Sequence, residues 1–142
     1  MPYPESFIGP MRQELTRLGV QELRTADAVD ALLKQKGKTI MLVVNSMCGC
    51  AAGKARPGIA LALQHAVTPD VVATVFAGGD LEATARVREL SALPPSSPAI
   101  FLFRGGKAIY AMHRHQIENR GASEIAAALK QAFEQHCTKS VA

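Results

Sequence analysis

The sequence predicts an α/β fold in which a mixed sheet is covered by helices on both faces. Apolar runs rich in branched residues alternate with segments whose apolar residues recur every three or four positions, a pattern typical of strands alternating with helices. Near the end, two apolar runs are separated only by Gly105 and Gly106, which favours a tight hairpin. The chain therefore predicts parallel strands first and an antiparallel pair last.

The first four elements are bounded by residues that start or stop helices. In chain order they are an extra N-terminal helix from Gly9-Pro10 to Gly19, a strand over 21–24, a helix capped by Thr25 that ends near Gly37, and a central strand over 39–46. Proline suits the first position of a helix, threonine accepts a hydrogen bond at an N-cap, and glycine ends helices. Met11, Leu15 and Leu18 are spaced to form one face of the first helix.

The remaining elements continue the alternation until the hairpin. They are a helix over 48–65, a strand over 71–77, a helix from the expected cap Asp80 to the proline-rich segment 94–98, strands over 99–104 and 107–113, and a helix over 122–136. Pro57 should bend the first of these helices because it removes an amide donor. Together the elements predict a thioredoxin-like three-layer α/β sandwich with an extra N-terminal helix.

The composition is that of an ordinary globular protein. Of 142 residues, 48% are hydrophobic and 20% charged, so we expect a single domain over 1–142. The N-terminus lacks a basic region followed by an apolar core, and no apolar run approaches the ~20 residues of a membrane span. We therefore expect a soluble, cytoplasmic protein without a membrane partner. The net charge of +4 is spread along the chain, which argues against a nucleic-acid partner.

Cys48-Gly49-Cys50 places two thiols between the central strand and the next helix. Amide groups and the positive dipole end at a helix N-terminus stabilise a thiolate, the species that attacks disulfides. Cys48 comes first, where access and the amide field are greatest, so we expect it to be the nucleophile. Cys50 is expected to be the second catalytic thiol and more covered. Gly49 lets the two sulfurs approach each other.

Ser97 and Pro98 are expected to join the thiols from the neighbouring strand. If the strand over 99–104 lies antiparallel beside the central one, its start lies next to the end that carries Cys48. We predict a cis Ser97-Pro98 bond near the sulfurs, which removes an amide donor and shapes a groove for an extended partner. Gly49, Ser97 and Pro98 are therefore the expected substrate-binding residues.

Three separated motifs in the chain resemble the bacilliredoxin family of thioredoxin-like proteins. They are VNSMCGCAAGKARPG over 44–58, PSSP over 95–98 and RHQIE over 114–118. The resemblance covers nearly the whole chain and implies an enzyme that removes bacillithiol, a low-molecular-weight thiol, from protein mixed disulfides. It implies Cys48 as the attacking cysteine and Cys50 as the second. It also implies bacillithiol as co-substrate, no bound cofactor, and bacillithiolated client proteins as partners.

Two alternative functions use the same thiols. One is a protein disulfide isomerase or general disulfide reductase, although Leu42 stands where thioredoxins carry a buried acid and no tryptophan precedes the thiols. The other is a metal or iron–sulfur-binding module, completed by a nearby histidine or by Cys137. Because a zinc site of this type usually has a second close ligand pair, we expect no metal.

Several other residues receive a weaker interpretation. Lys54 and Arg56 are expected on a solvated helix face, and Cys137 as a partly exposed bystander after the last helix. The segment from Met112 to His115 is expected to be a strand end with a solvated basic tip. Glu118 and His115 suit either proton handling or surface contacts equally well. Nothing in the sequence indicates an oligomeric state.

Overall fold

The computed structural model describes residues 2–137, so residue 1 and residues 138–142 of the predicted domain lie outside it. The helices are α1 (Glu5–Thr16), α2 (Ala26–Leu33), α3 (Arg56–Ala62), α4 (Leu81–Ser91), α5 (Arg114–Glu118) and α6 (Ala122–His136), with a π-helical turn over Ala51–Ala55 before α3. The strands are β1 (Gln21–Glu22), β2 (Ile40–Asn45), β3 (Val71–Phe76), β4 (Ala99–Arg104) and β5 (Lys107–Met112). Among the described helices, none has the length and hydropathy needed to cross a membrane.

A five-stranded mixed sheet in the order β1-β3-β2-β4-β5 forms the middle layer. The strands β1, β2 and β3 are parallel, whereas β4 is antiparallel to β2 and β5 is antiparallel to β4. Gly105 and Gly106 form the hairpin turn, with φ of 60° and 83°, a left-handed conformation that glycine adopts without strain. The predicted mixed sheet with its final hairpin is confirmed.

Both faces of the sheet are buried because helices cover each of them. Met41 and Val43 of β2 pack in a cluster with residues of α3 and α6. Ile40, Leu42 and Val44 pack in a second cluster with residues of α2 and α4. Since alternate residues of a strand point to opposite faces, burial on both sides explains why β2 is apolar throughout. These are the three layers that the sequence predicts.

The N-terminal helix begins earlier than the sequence predicts. It starts at Glu5, so Pro10 lies inside it and not at its first position. Its buried face contains Leu15 as expected, but also Ile8 and Arg12. The prediction that Leu18 belongs to this face is wrong, because Leu18 lies beyond the end of α1 and is 40% exposed.

A buried ion pair attaches α1 to the loop after β3. Arg12 donates two hydrogen bonds of 2.8 Å to the two carboxylate oxygens of Asp80, and its guanidinium lies 5.4 Å from the centre of the Phe76 ring. Asp80 also accepts a hydrogen bond from the Phe76 amide. Asp80 directly precedes α4, as predicted, but its side chain forms no capping hydrogen bond with that helix. Its carboxylate oxygens bind Arg12 and the Phe76 amide instead. The hydrogen bond to Asp80 raises the pKa of Arg12 in spite of its burial.

The helix predicted over 48–65 is divided by the π-helical turn. That turn ends at Ala55 and α3 begins at Arg56, so the change of helix type falls just before Pro57. Proline has no amide to donate, and a widened turn is one way in which a helix accommodates the lost bond. The irregularity lies where the sequence predicts a bend.

Gly58 brings α3 close to α6. A Cβ atom at Gly58 would lie 2.7 Å from Cγ2 of Ile125 and 3.1 Å from the carbonyl oxygen of Ala122. Backbone on one side and a buried side chain on the other leave no room for it. The absence of a side chain at Gly58 therefore sets the distance between the helix that follows the thiols and α6.

We predict that Gly58→Ala lowers the free energy of unfolding by about 1–3 kcal/mol, because the added methyl group overpacks this contact. The matched control is Gly53→Ala in the π-helical turn, where an added Cβ would meet nothing within 4 Å. The control should be neutral or slightly stabilising, since alanine favours helix more than glycine does. Urea unfolding followed by circular dichroism measures both changes. Equal effects in the two variants would show that the α3–α6 contact tolerates a side chain.

Candidate functional site

The two motif thiols lie where the chain leaves the carboxyl end of β2. Cys48 follows the strand by three residues, and both Cys48 and Cys50 are half-buried. The Cys48 carbonyl accepts hydrogen bonds from the amides of Ala51 and Ala52 at 3.1 and 3.2 Å. Cys48 thus stands at the amino-terminal end of the helical segment, where the positive end of the helix dipole favours a negative charge on its side chain.

The surroundings of Cys48 favour its thiolate. Burial disfavours the charged form, yet the pKa of the Cys48 thiol is lowered. The Ser46 hydroxyl and the amides of Ala51 and Cys50 donate hydrogen bonds to the sulfur, and Arg114 adds positive charge. Ser46 is held in place because its Oγ accepts a 3.1 Å hydrogen bond from the Cys48 amide. These donors can stabilise a reactive thiolate.

A buried arginine holds the strand end that leads to Cys48. Nη1 of Arg56 donates hydrogen bonds of 2.9 Å to Oδ1 of Asn45 and to the carbonyl of Ser46. Its Nε lies 3.1 Å from a carboxylate oxygen of Glu14. The expectation of a solvated helix face is wrong for Arg56, which is only 4% exposed, because the end of β2 offers acceptors directly beneath it.

Asn45 supports the same turn through its side chain. Its Oδ1 accepts both the Arg56 bond and a 2.8 Å bond from the Ser46 amide. Its Nδ2 donates to the carbonyl of Met11 at 3.3 Å, which ties the strand end to α1. Hydrogen bonds therefore fix both the backbone and the side chain of Ser46. As a result, the hydroxyl that lowers the pKa of Cys48 has a defined position.

The segment after β5 forms a short helix in place of the strand end predicted there. The His113 amide donates to Oε1 of Gln116 at 2.8 Å, and α5 begins at Arg114. This turn brings Arg114 close enough to Cys48 to stabilise its thiolate. Nε of Arg114 donates to Glu118 at 2.9 Å. Of the two roles that the sequence leaves open for Glu118, the structure shows a surface ion pair. Arg114 is a site residue that the sequence did not predict.

The Ser97-Pro98 bond is cis, as predicted. In the antiparallel register Ala99 pairs with Val44, so the residues just before β4 lie beside the end of β2. Pro98 is buried, whereas Ser97 is half-buried and lines a cavity together with Cys48. Gly49 is exposed, and the space around it is open.

An open cavity of about 350 Å³ lies beside the Cys48 side chain. The residues around it come from six separate parts of the chain, and they include Tyr3, Ser46, Cys48, Arg88, Ser97 and Arg114. Tyr3 is held at this edge because its amide donates a 2.8 Å hydrogen bond to the carbonyl of Gly78. The cavity is of the size that small-molecule sites have.

The third cysteine lies away from this cavity. Cys137 packs in the core cluster and is only 4% exposed, so the expectation of a partly exposed residue is wrong. Burial, reinforced by the negative charge of Asp70, raises the pKa of the Cys137 thiol to about 11. A thiol in such surroundings stays protonated near neutral pH and is a poor nucleophile.

The remaining candidates make local contacts. Nζ of Lys54 donates a hydrogen bond to the carbonyl of Glu118, which ties the π-helical turn to α5. The rings of His113 and His115 are stacked, with centroids 6.1 Å apart. Within residues 2–137, no three His, Cys, Asp or Glu side chains form a group that could hold a metal ion.

Thioredoxins are among the solved structures that have a similar backbone. Thioredoxin from Fasciola hepatica superimposes with a TM-score of 0.58 at 22% identity, covering 82% of this chain and 99% of that chain. Thioredoxin from Malassezia sympodialis superimposes with a TM-score of 0.54 at 18% identity, covering 82% and 90%. The predicted thioredoxin-like fold is thereby confirmed.

Sequence comparison identifies the family. A family model described as disulphide isomerase matches residues 3–137. A bacilliredoxin of Salinibacter ruber is 54% identical, with 96% of this chain and 82% of the relative covered. Bacilliredoxins of Koribacter versatilis and Bacillus cereus are 53% and 46% identical, with at least 94% of every chain covered. The chain belongs to the bacilliredoxin family.

Proposed function

We propose that this protein removes bacillithiol from protein mixed disulfides through Cys48. Its family and its fold make it a thiol–disulfide oxidoreductase. The observation that carries the more specific proposal is the environment of Cys48, a half-buried thiol with a lowered pKa at the edge of a small-molecule-sized cavity. Such a thiol attacks disulfides, and a cavity of this size can hold a small thiol.

In the first step the Cys48 thiolate attacks the bacillithiol sulfur of the mixed disulfide. A bond forms between the two sulfurs while the bond from bacillithiol to the client breaks. The electron pair leaves on the client sulfur, which takes a proton from solvent. The client is reduced to its thiol, and Cys48 is oxidised to a mixed disulfide with bacillithiol.

In the second step another thiol restores Cys48. Either a second bacillithiol attacks the bound one and leaves as bacillithiol disulfide, or the Cys50 thiolate attacks Cys48 and releases bacillithiol. The second route leaves a Cys48–Cys50 disulfide that an external thiol must reduce. Neither route needs a bound cofactor, because bacillithiol is the co-substrate.

A reducing compartment keeps both thiols available, so we propose that the reaction is cytoplasmic.

The substrate is proposed to lie along Gly49 and Ser97. Gly49 is exposed beside the nucleophile, Ser97 lines the cavity, and Pro98 is buried directly after it. An extended client segment can approach Gly49 from solvent while bacillithiol occupies the cavity. In this arrangement Pro98 acts by shaping the backbone at Ser97.

A second candidate function is protein disulfide isomerase, which the description of the matching family model favours. The same attack by Cys48 would open a disulfide between two client cysteines. Leu42 is fully buried on β2 where thioredoxins carry a proton-handling acid, so efficient dithiol reduction of that type is not expected. Comparing bacillithiol release with reactivation of a scrambled-disulfide protein separates the two candidates.

We predict that Cys48 is alkylated faster than Cys50 and Cys137 in the reduced, folded protein. Its rate should reach half its maximum at a pH below the ordinary cysteine pKa of about 8.5, because the thiolate is the reacting species. Cys137 should react only on unfolding, since it is buried with a pKa of about 11. Timed iodoacetamide labelling with peptide mass spectrometry gives the three rates. Fastest labelling at Cys137 would reject the assignment of the nucleophile.

We predict unequal consequences for the two motif cysteines. Cys48→Ala should abolish bacillithiol release from a defined mixed disulfide. Cys50→Ala should still accept bacillithiol and accumulate a Cys48 adduct, since the first step needs only one thiol. Release is followed by chromatography of bacillithiol, and the adduct by intact mass.

The same pair of variants tests the metal-binding alternative. Removing either ligand from a four-ligand zinc site weakens binding severely, so the two variants would then behave alike. Cys137→Ala serves as the control and should release bacillithiol at the wild-type rate. Equal loss in both motif variants, together with metal in the purified wild-type protein, would contradict the proposed function.

A further inference from the structure

We propose that the cavity beside Cys48 binds a carboxylate of the small thiol through Arg88 and Arg114, so that the enzyme prefers mixed disulfides whose small thiol is anionic. The inference rests on the proposed function and names the chemical class of thiol that the site selects. Arg88 becomes a substrate-binding residue that the motif alone does not indicate.

The two arginines reach the cavity from different elements. Arg88 belongs to α4 and Arg114 begins α5, yet both line the cavity that contains Cys48 and Ser97. Guanidinium groups present several N–H donors in one plane, which matches the two oxygens of a carboxylate. Two such groups around one small cavity form a site for an anion.

Arg88 differs from its neighbour Arg86 on the same helix. Arg86 is neutralised by Asp30 at 2.6 Å and by Glu89 at 3.3 Å. In contrast, the Nε atom of Arg88 is buried and has no hydrogen-bond partner among the described residues. No carboxylate within residues 2–137 neutralises Arg88 in the same way, and an anion bound in the cavity would give its guanidinium the kind of partner that Asp30 and Glu89 give Arg86.

Arg114 contributes a partly compensated charge. It donates to Glu118 at 2.9 Å, and its Nη1 donates to the carbonyl of Ser97 at 3.3 Å. Before the reaction the Cys48 thiolate adds a second negative charge near this group. When Cys48 becomes part of a disulfide, that charge disappears while both guanidinium groups remain. The cavity then attracts an anion most strongly at the stage when it holds the small thiol.

The test compares mixed disulfides that differ only in the small thiol. A cysteine peptide without charged side chains is linked to mercaptosuccinate, which is doubly anionic, to neutral mercaptoethanol, or to cationic cysteamine. Each enzymatic kcat/KM for peptide release is divided by the rate with dithiothreitol alone, which corrects for intrinsic reactivity. The wild-type protein should favour mercaptosuccinate over mercaptoethanol about tenfold or more, and added salt should reduce this preference.

Two variants on α4 locate the effect. Arg88→Gln should lose most of the preference, with its corrected kcat/KM for mercaptosuccinate falling to near that for mercaptoethanol. Arg86→Gln removes an arginine that does not line the cavity and should retain the preference. A second peptide with acidic residues beside its cysteine, linked to mercaptoethanol, tests whether the carboxylate comes from the client instead.

Several results would overturn the proposal. Equal corrected rates for the three thiols in the wild-type protein would show that the cavity does not select an anion, while release itself would leave the proposed function intact. Acceleration by the acidic peptide without any effect of the small thiol would assign the arginines to the client. A full preference in Arg88→Gln would exclude this residue. Absence of release from every substrate would contradict the proposed function itself.

Discussion

The hydrogen bonds from Arg56 to Asn45 and Ser46 are the interaction on which the thiol site depends. They join the first residue of α3 to the carboxyl end of β2, across the segment that contains both motif cysteines. Hydrogen bonds from a charged donor contribute about 1.5–3 kcal/mol each to the free energy of unfolding. Both bonds from Arg56 are buried. Because Ser46 is fixed in this way, its hydroxyl can serve Cys48. A chain without this arginine would leave the Ser46 carbonyl without its donor and Oδ1 of Asn45 with the Ser46 amide alone.

The contrast between Cys48 and Cys137 shows that environment, and not residue type, sets thiol reactivity. Both are shielded from solvent to some degree. Cys48 has hydrogen-bond donors and a guanidinium around its sulfur, whereas Cys137 packs in the core near the carboxylate of Asp70. The first set of groups stabilises the thiolate and the second opposes it. Division of labour between a reactive and a structural cysteine follows from these contacts alone.

Sequence patterns predict the elements well and the polar contacts poorly. The bounds of α6 and the order of the strands along the chain follow from local periodicity and from turn residues. For this reason the mixed sheet and its hairpin turn at Gly105-Gly106 are as predicted. Arg56 and Arg114 owe their roles to partners distant in sequence, and no local pattern distinguishes a buried arginine from a solvated one. The burial of Arg12 has the same origin, since its partner Asp80 lies 68 residues away.

The most direct test of this account is the titration of the Cys48 thiolate by its ultraviolet absorbance in a Cys50→Ala protein. Cys137 does not interfere, because its pKa of about 11 separates the two transitions. We expect Cys48 to titrate below the ordinary cysteine pKa of about 8.5, and Ser46→Ala to raise that value by removing a hydroxyl donor. A Cys48 pKa at or above the ordinary value, unchanged by Ser46→Ala, would contradict the claim that the end of β2 prepares this thiol for attack.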